Sequence, residues 1–149
     1  MRNAGRADGT LGAMTERAGV SLPDDLRTAI DGTAFAHLAT VDPDGSPHAT
    51  AMWIARDGDL IVFNTLQGRR KWRNMRRDRR VAVSISAPGD PYRNWSIQGR
   101  VVEMRTVDGV EVIDALAKKY LGEPRYPWLQ PGDVRVTVIV EPLRVAGGR

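Results

Sequence analysis

Eight cations crowd one short stretch of this sequence. Arg69, Arg70, Lys71, Arg73, Arg76, Arg77, Arg79 and Arg80 are broken by a single acid, Asp78. They follow Phe63-Asn64-Thr65-Leu66-Gln67-Gly68, which reads as a strand that leaves its sheet and turns at a glycine into a helix. The first N–H groups of a helix lack partners within it, and the helix dipole adds positive potential, so such an end attracts anions. Cations in a first turn oppose that dipole. Arg69, Arg70 and Lys71 therefore carry an electrostatic cost that a bound phosphate would remove. Asn74 lies one turn further on, where it is expected to complete the cup with Gly68 and the three cations. A solvated arginine face is the plainer alternative, since only three of the 22 basic residues are lysine. Position in the first turn favours the anion site.

Two further constellations are candidates to meet a ligand. In Pro91-Tyr92-Arg93-Asn94-Trp95-Ser96-Ile97-Gln98-Gly99, strand alternation puts Asn94, Ser96 and Gln98 on one face and Arg93, Trp95 and Ile97 on the other. A polar row of that kind reads the heteroatom edge of a planar molecule, or is simply a wet surface. Trp53 and Trp128 are large aromatics suited to a core, an interface or a pocket wall. Trp128, in a proline-rich loop with Tyr126, suits a lid. His48 opens a strand and is a weak candidate for a ligand contact or proton donor, whereas His37 sits mid-strand as a packed histidine would. Asp24 and Asp25 stand at a helix start, where they complement the dipole rather than act as an acid/base pair. There is no nucleophile elbow, no phosphate-cradling glycine loop of the Walker type, no GxGxxG after a strand and no cysteine. Protein-based nucleophilic catalysis is not indicated.

The elements that must position these residues are legible from period and punctuation. Residues 1–20 lack an apolar period and read as a disordered tail, with Met14 as an alternative start; a single domain is expected over 21–149. Ser21 is expected to cap a short helix carrying Leu22, Leu26 and Ile30, ended by Gly32. Strands follow over 35–42, 48–56 and 60–65, with Pro43-Asp44-Gly45 and Asp57-Gly58 as turns. A helix is expected over Gln67–Asp78, then strands over 81–86 and 92–105. Gly99 marks a bulge in the second of these. A third helix spans Asp108–Leu121, stopped by Gly122, and strands over 134–141 and 143–146 close the chain. This order predicts a mainly β fold, a small antiparallel barrel with peripheral helices.

Composition narrows the class. The chain has 149 residues, 42% hydrophobic and 27% charged, with a net charge of +4, as an ordinary globular domain has. No run of 18 apolar residues and no signal pattern occur, so no membrane association and a cytoplasmic location are expected. Two histidines without HExxH-like spacing predict no metal site.

With those residues in view, the sequence resembles the split-β-barrel flavin-binding superfamily that includes pyridoxamine 5′-phosphate oxidases. Within it, the chain is most similar to the deazaflavin (coenzyme F420)-dependent reductases of actinobacteria. The resemblance runs from about Leu22 to Arg144 and rests on "HATAMWI", "LIVFNTLQGRRKWRNMRRDRRVAVSI" and "RNWSIQGRV" in that order. It implies a six- to seven-stranded antiparallel split β-barrel and a homodimer with a cofactor held between protomers. Arg70 and Lys71 match the pair that grips the cofactor phosphate, and Asn64 and Thr65 the residues beside the ribityl chain. Met52, Trp53 and Ile54 match the segment along the ring, and Asn94 the polar residue reaching the ring from the second copy. Tyr126–Trp128 and Trp95 are candidates to close over the substrate. FMN-binding members place an arginine at the start of the second strand and a lysine five residues later; here His48 and Trp53 stand there. F420 carries a phosphate and a polyglutamate tail, for which Arg69, Arg73 and Arg76 are expected partners.

The implied activity is hydride transfer from reduced F420 to an unidentified small or planar unsaturated substrate. An FMN-binding pyridoxamine phosphate oxidase-like protein or a non-catalytic flavin carrier is the alternative. A nucleic-acid-binding module is more distant, because Trp72 is the one aromatic interleaved with the cations.

Overall fold

A computed structural model describes residues 19–148. The tail expected over 1–20, including Met14, lies outside them except for Gly19 and Val20. Val20 donates its N–H to the Pro142 carbonyl at 3.0 Å. In chain order the elements are α1 (Asp24–Asp31), β1 (Ala36–Val41), β2 (Pro47–Met52), β3 (Ala55–Asp57) and β4 (Leu60–Leu66). They continue with α2 (Arg70–Arg77), β5 (Arg80–Ala87), β6 (Asp90–Arg105), α3 (Gly109–Leu121) and β7 (Arg135–Gly147).

The strands form one antiparallel sheet in the order β2-β1-β5-β6-β7-β4-β3. Its two edge strands, β2 and β3, are consecutive in sequence and joined by Trp53 and Ile54 alone. That link spans roughly 10 Å at full stretch. The sheet therefore has to curl until its edges meet, and the result is the barrel the residue pattern predicts.

Alternation fills the interior. Val81, Val83 and Ile85 of β5 point inward with Trp95 and Ile97 of β6, and the register sets Val83 opposite Ile97 and Ile85 opposite Trp95. Across β1 the same row continues through Leu38 and Ala36. Each fully buried Val, Ile, Leu or Phe contributes about 1.5–3 kcal/mol of transfer free energy. Trp95 is 1% exposed, so it is a core residue and not part of a lid.

Several boundaries differ from expectation, each for a local reason. Helix α1 starts at Asp24 with Pro23 in the capping position, so Ser21 is not its cap; Asp24 and Asp25 occupy the first turn. Helix α2 starts at Arg70 rather than Gln67, because Leu66–Arg69 forms a tight turn closed by Arg69 N–H to the Leu66 carbonyl at 3.2 Å. Gly68 supplies that turn with φ +97°, a conformation natural to glycine. The strand expected over 48–56 is two strands broken at Trp53-Ile54. The two C-terminal strands are one, which passes through Pro142. Proline has no N–H for the ladder, and Pro142 sits opposite Gly99 where the β6–β7 register shifts. The bulge at Gly99 is present as expected.

Candidate functional site

A cleft of about 250 Å³ opens beside the β2–β3 break. Met52 and Trp53 from the end of β2, Asn64 and Thr65 from β4, and Arg69 and Lys71 from the start of α2 line it. Tyr126 and Trp128 of the α3–β7 loop and Arg135, the first residue of β7, complete the wall with Phe35, Ala51, Leu66, Ile113 and Leu116. Pairing of β4 with β7 sets Leu66 opposite Arg135, and Gln67 N–H donates to the Val134 carbonyl at 2.9 Å. The turn that launches α2 is thus fastened beside Arg135.

Lys71 and Arg135 are both held at pKa values below their ordinary ones, in each case chiefly by burial. For Lys71 the neighbouring charges of Arg69 and Arg135 add to it. For Arg135, Arg69 pushes in the same direction, while Tyr126 and Asp133 partly offset it. Among the described residues, no Asp or Glu lines the cleft. Three cations that repel one another and have no carboxylate among them form a site that an anion stabilises.

Polar anchoring sets the cleft's back wall. Asn64 is 5% exposed; its amide donates to the Gly109 carbonyl at 2.8 Å and its oxygen accepts from Arg135 Nε at 2.9 Å. A Cβ on Gly109 would lie 1.9 Å from the Arg135 carbonyl oxygen, so only glycine lets α3 begin this close to β7. The break at Trp53-Ile54 is satisfied from α3. Ile54 N–H donates to Tyr120 Oη at 3.1 Å, and Lys119 Nζ donates to the Ile54 and Ile30 carbonyls at 2.5 and 2.6 Å. Burial brings the Lys119 amine down to a pKa of about 8, against some support from Asp31.

An aromatic chain adjoins this wall. Trp53 stacks on Tyr120 with ring centres 5.3 Å apart and planes 5° off parallel, and meets Tyr126 edge-on at 6.1 Å. Tyr126 in turn meets Trp128 edge-on at 5.5 Å. The loop is pinned where Tyr126 N–H donates to Asp114 Oδ1 at 2.8 Å.

The cluster of expected cup residues splits in two. Arg69 and Lys71 face the cleft, but Arg70 turns away and makes a two-pronged pair with Asp42, its Nε 3.0 Å from Oδ1. Asn74 follows Arg70. It is 2% exposed and donates to Thr40 Oγ1 at 3.0 Å and Asp42 Oδ1 at 2.9 Å. Arg70 first and Asn74 second hold the Asp42 carboxyl down at a pKa of about 2. Arg70 and Asn74 therefore fasten α2 to the end of β1, helped by Arg77 on the Val41 carbonyl, and do not line the cleft. The reason is helical geometry: consecutive residues point about 100° apart, whereas Arg70 and Asn74, at i and i+4, share a face.

Other expected site residues also fall outside the cleft. Ile54 is buried in the core, and Gly68 shapes the turn without lining the cleft. His48 sits opposite Thr40 towards the far end of β2, with Nδ1 buried and, among the described residues, lacking a protein partner. Asn94 is exposed and donates to the Pro91 carbonyl at 3.0 Å, outside the cleft of its own protomer. Arg73 donates to the Gly68 carbonyl, and Arg76 lies over Trp72 at 4.9 Å. Arg135 escaped sequence reasoning. Its signal was a charge opening the apolar run Val136-Thr137-Val138-Ile139-Val140, where a strand buried on both faces seldom holds one.

Among the described residues, no helix is long and apolar enough to cross a membrane. Residues 22–141 match the family model described as pyridoxamine 5′-phosphate oxidase. A solved structure named F420 Reductase is 32% identical with a TM-score of 0.72, covering 84% of this chain and 98% of its own. The conserved hypothetical protein Rv2991 from Mycobacterium tuberculosis is 25% identical with a TM-score of 0.66, covering 88% and 86%. General Stress Protein 26 from Bacillus anthracis, at 17% identity, TM-score 0.60 and 81% and 88% coverage, shares the fold. A search of curated proteins gave no match.

Proposed function

The chain belongs to the pyridoxamine 5′-phosphate oxidase family, and from that premise we propose that it is an F420H2-dependent oxidoreductase acting on a small or planar unsaturated substrate. The observation that carries this reading is the cleft in which Arg69, Lys71 and Arg135 converge without a carboxylate, beside an aromatic wall. A phosphorylated ring cofactor fits that chemistry: the cations would hold its phosphate, Asn64 and Thr65 would flank its chain, and Met52 and Trp53 would lie along its ring. Bound there, the reduced deazaflavin supplies a hydride to an electron-poor double bond. The protein's own residues bind, orient and exclude water. Trp53, locked against Tyr120, would give the ring a fixed surface, and the Tyr126–Trp128 pair stands at the cleft beside it. F420 is favoured over FMN by the 32% identity to an F420 reductase and by His48 and Trp53 at positions where FMN-binding relatives are expected to carry cations.

The cleft is open on one side, and a second copy of the chain is the proposed cover. Outward-facing residues of five adjacent strands form two registered rows, Ala49-Ala39-Ala82-Gln98-Arg144 and Ala51-His37-Ser84-Ser96-Ala146. Most are Ala or Ser, which leave a flat face that another flat face can meet closely. Ala51 belongs both to this face and to the cleft lining, so a copy docked here would reach the cleft mouth. Asn94, at the same face, is the residue proposed to enter the neighbouring cleft.

Titration with F420 and FMN side by side tests the assignment. F420 is expected to bind at least about tenfold more tightly, a difference of about 1.4 kcal/mol. Equal affinities would overturn the F420 reading and leave an FMN protein; binding of neither would remove the family's cofactor chemistry from this chain.

A further inference from the structure

We propose that Arg135 is a third anion-binding residue of the cleft and that it links a bound anion to the Tyr126–Trp128 loop. The inference rests on the anion-cup reading above and extends it to a residue the sequence pattern did not single out.

Arg135 is 9% exposed, yet among the described residues no carboxylate pairs with it. Its Nε donates to Asn64 Oδ1 at 2.9 Å, which orients the guanidinium; its two Nη groups have no protein acceptor among the described residues, and Arg135 lines the cleft. A buried cation with no carboxylate in contact is costly; Arg69 and Lys71 facing the same space add to that cost, and Asp133, beyond ion-pair distance, offsets only part of it. A ligand anion is the missing partner. A planar fork with free Nη donors suits a phosphate or carboxylate better than a point charge does.

The same guanidinium touches the loop. Its central carbon lies 5.1 Å from the centre of the Tyr126 ring, and Tyr126 meets Trp128 edge-on. Trp128 is 57% exposed and so free to change its surroundings. An anion that draws the fork into one position also fixes the ring stacked on it. Charge recognition at the base of the cleft is thereby passed to its aromatic mouth.

The test compares Arg135→Gln, Arg135→Lys, Lys71→Ala and the remote Arg80→Gln, whose partner Asp78 lies outside the cleft. Two quantities are measured: affinity for whichever of F420 and FMN binds the wild type more tightly, and acrylamide quenching of tryptophan emission with and without inorganic phosphate. Thermal melts establish that each variant is folded. Arg135→Gln is expected to bind at least about tenfold more weakly, the range of a lost charge-assisted hydrogen bond. Its affinity should also depend less on salt. Arg135→Lys, which keeps the charge but loses the planar fork and its stack on Tyr126, is expected to lose some affinity, but less than Arg135→Gln. In that variant, phosphate no longer lowers the quenching. If Arg135→Gln does not fold, the partial loss of affinity and the lost phosphate response in Arg135→Lys decide the matter alone. Wild-type affinity in Arg135→Gln alongside a loss in Lys71→Ala would overturn the role of Arg135 and leave the cup intact. A phosphate response unchanged in Arg135→Lys would overturn the link to the loop. No loss in either Arg135→Gln or Lys71→Ala would bring down the anion-cup reading itself.

Discussion

Arg70 and Lys71 are neighbours in sequence and should behave as opposites. Lys71 is half-buried in the cleft with two like charges beside it, whereas Arg70 spends its guanidinium on Asp42. Replacing Lys71 by alanine removes a charge-assisted contact to a bound phosphate, about 1.5–3 kcal/mol, or roughly 10- to 150-fold in Kd. The same change relieves repulsion on Arg69 and Arg135 in the free protein, so folding stability is held or raised. Replacing Arg70 by alanine leaves the Asp42 carboxylate, 8% exposed, with Asn74 as its remaining partner. Stability should fall, while Kd changes by no more than about twofold. Isothermal titration with the preferred cofactor and urea melts of both variants read the two effects separately. Equal losses of affinity in the two variants, with no loss of stability for Arg70→Ala, would refute the division of the cluster drawn here.

Three other outcomes follow from particular contacts. Gly109→Ala places a methyl 1.9 Å from the Arg135 carbonyl oxygen and should cost at least about 1–3 kcal/mol in a denaturant melt; a variant as stable as wild type would show that α3 does not lean on β7 in this way. Asp42 has a folded pKa of about 2 against an ordinary 3.8, so its contribution is present in full above about pH 4 and is lost as pH falls through 2. The stability gap between wild type and Asp42→Asn should therefore narrow on acidification from pH 5 to 2, and a constant gap would contradict the pairing. Ser84→Arg puts a large charge in the flat face of β5 and should convert a dimer to a monomer in size-exclusion chromatography with light scattering. A wild type that is already monomeric would exclude the proposed cover.

The sequence by itself determined the barrel's parts. Strict alternation in Val81–Ile85 and the Asp57-Gly58 turn depend on residues within a few positions of one another, and such local preferences survive in the folded chain. Gly99 announced its bulge, and the anion-seeking character of the Gly68–Lys71 corner was legible from charge and helix polarity. Even the split between Arg70 and Lys71 was latent in the 100° step of a helix. Which of them faces the cleft was not, because that depends on Asp42, 28 residues earlier. The tertiary structure decided the rest. Arg135 reaches the cleft through Asn64, 71 positions away, and the edge strands part at Ile54 because Lys119 and Tyr120 of α3 take over its backbone hydrogen bonds. Contacts at that separation leave no local period to read. They arise because a two-residue link curls the sheet shut and brings the start of α2, the α3–β7 loop and the first residue of β7 to one side of the barrel.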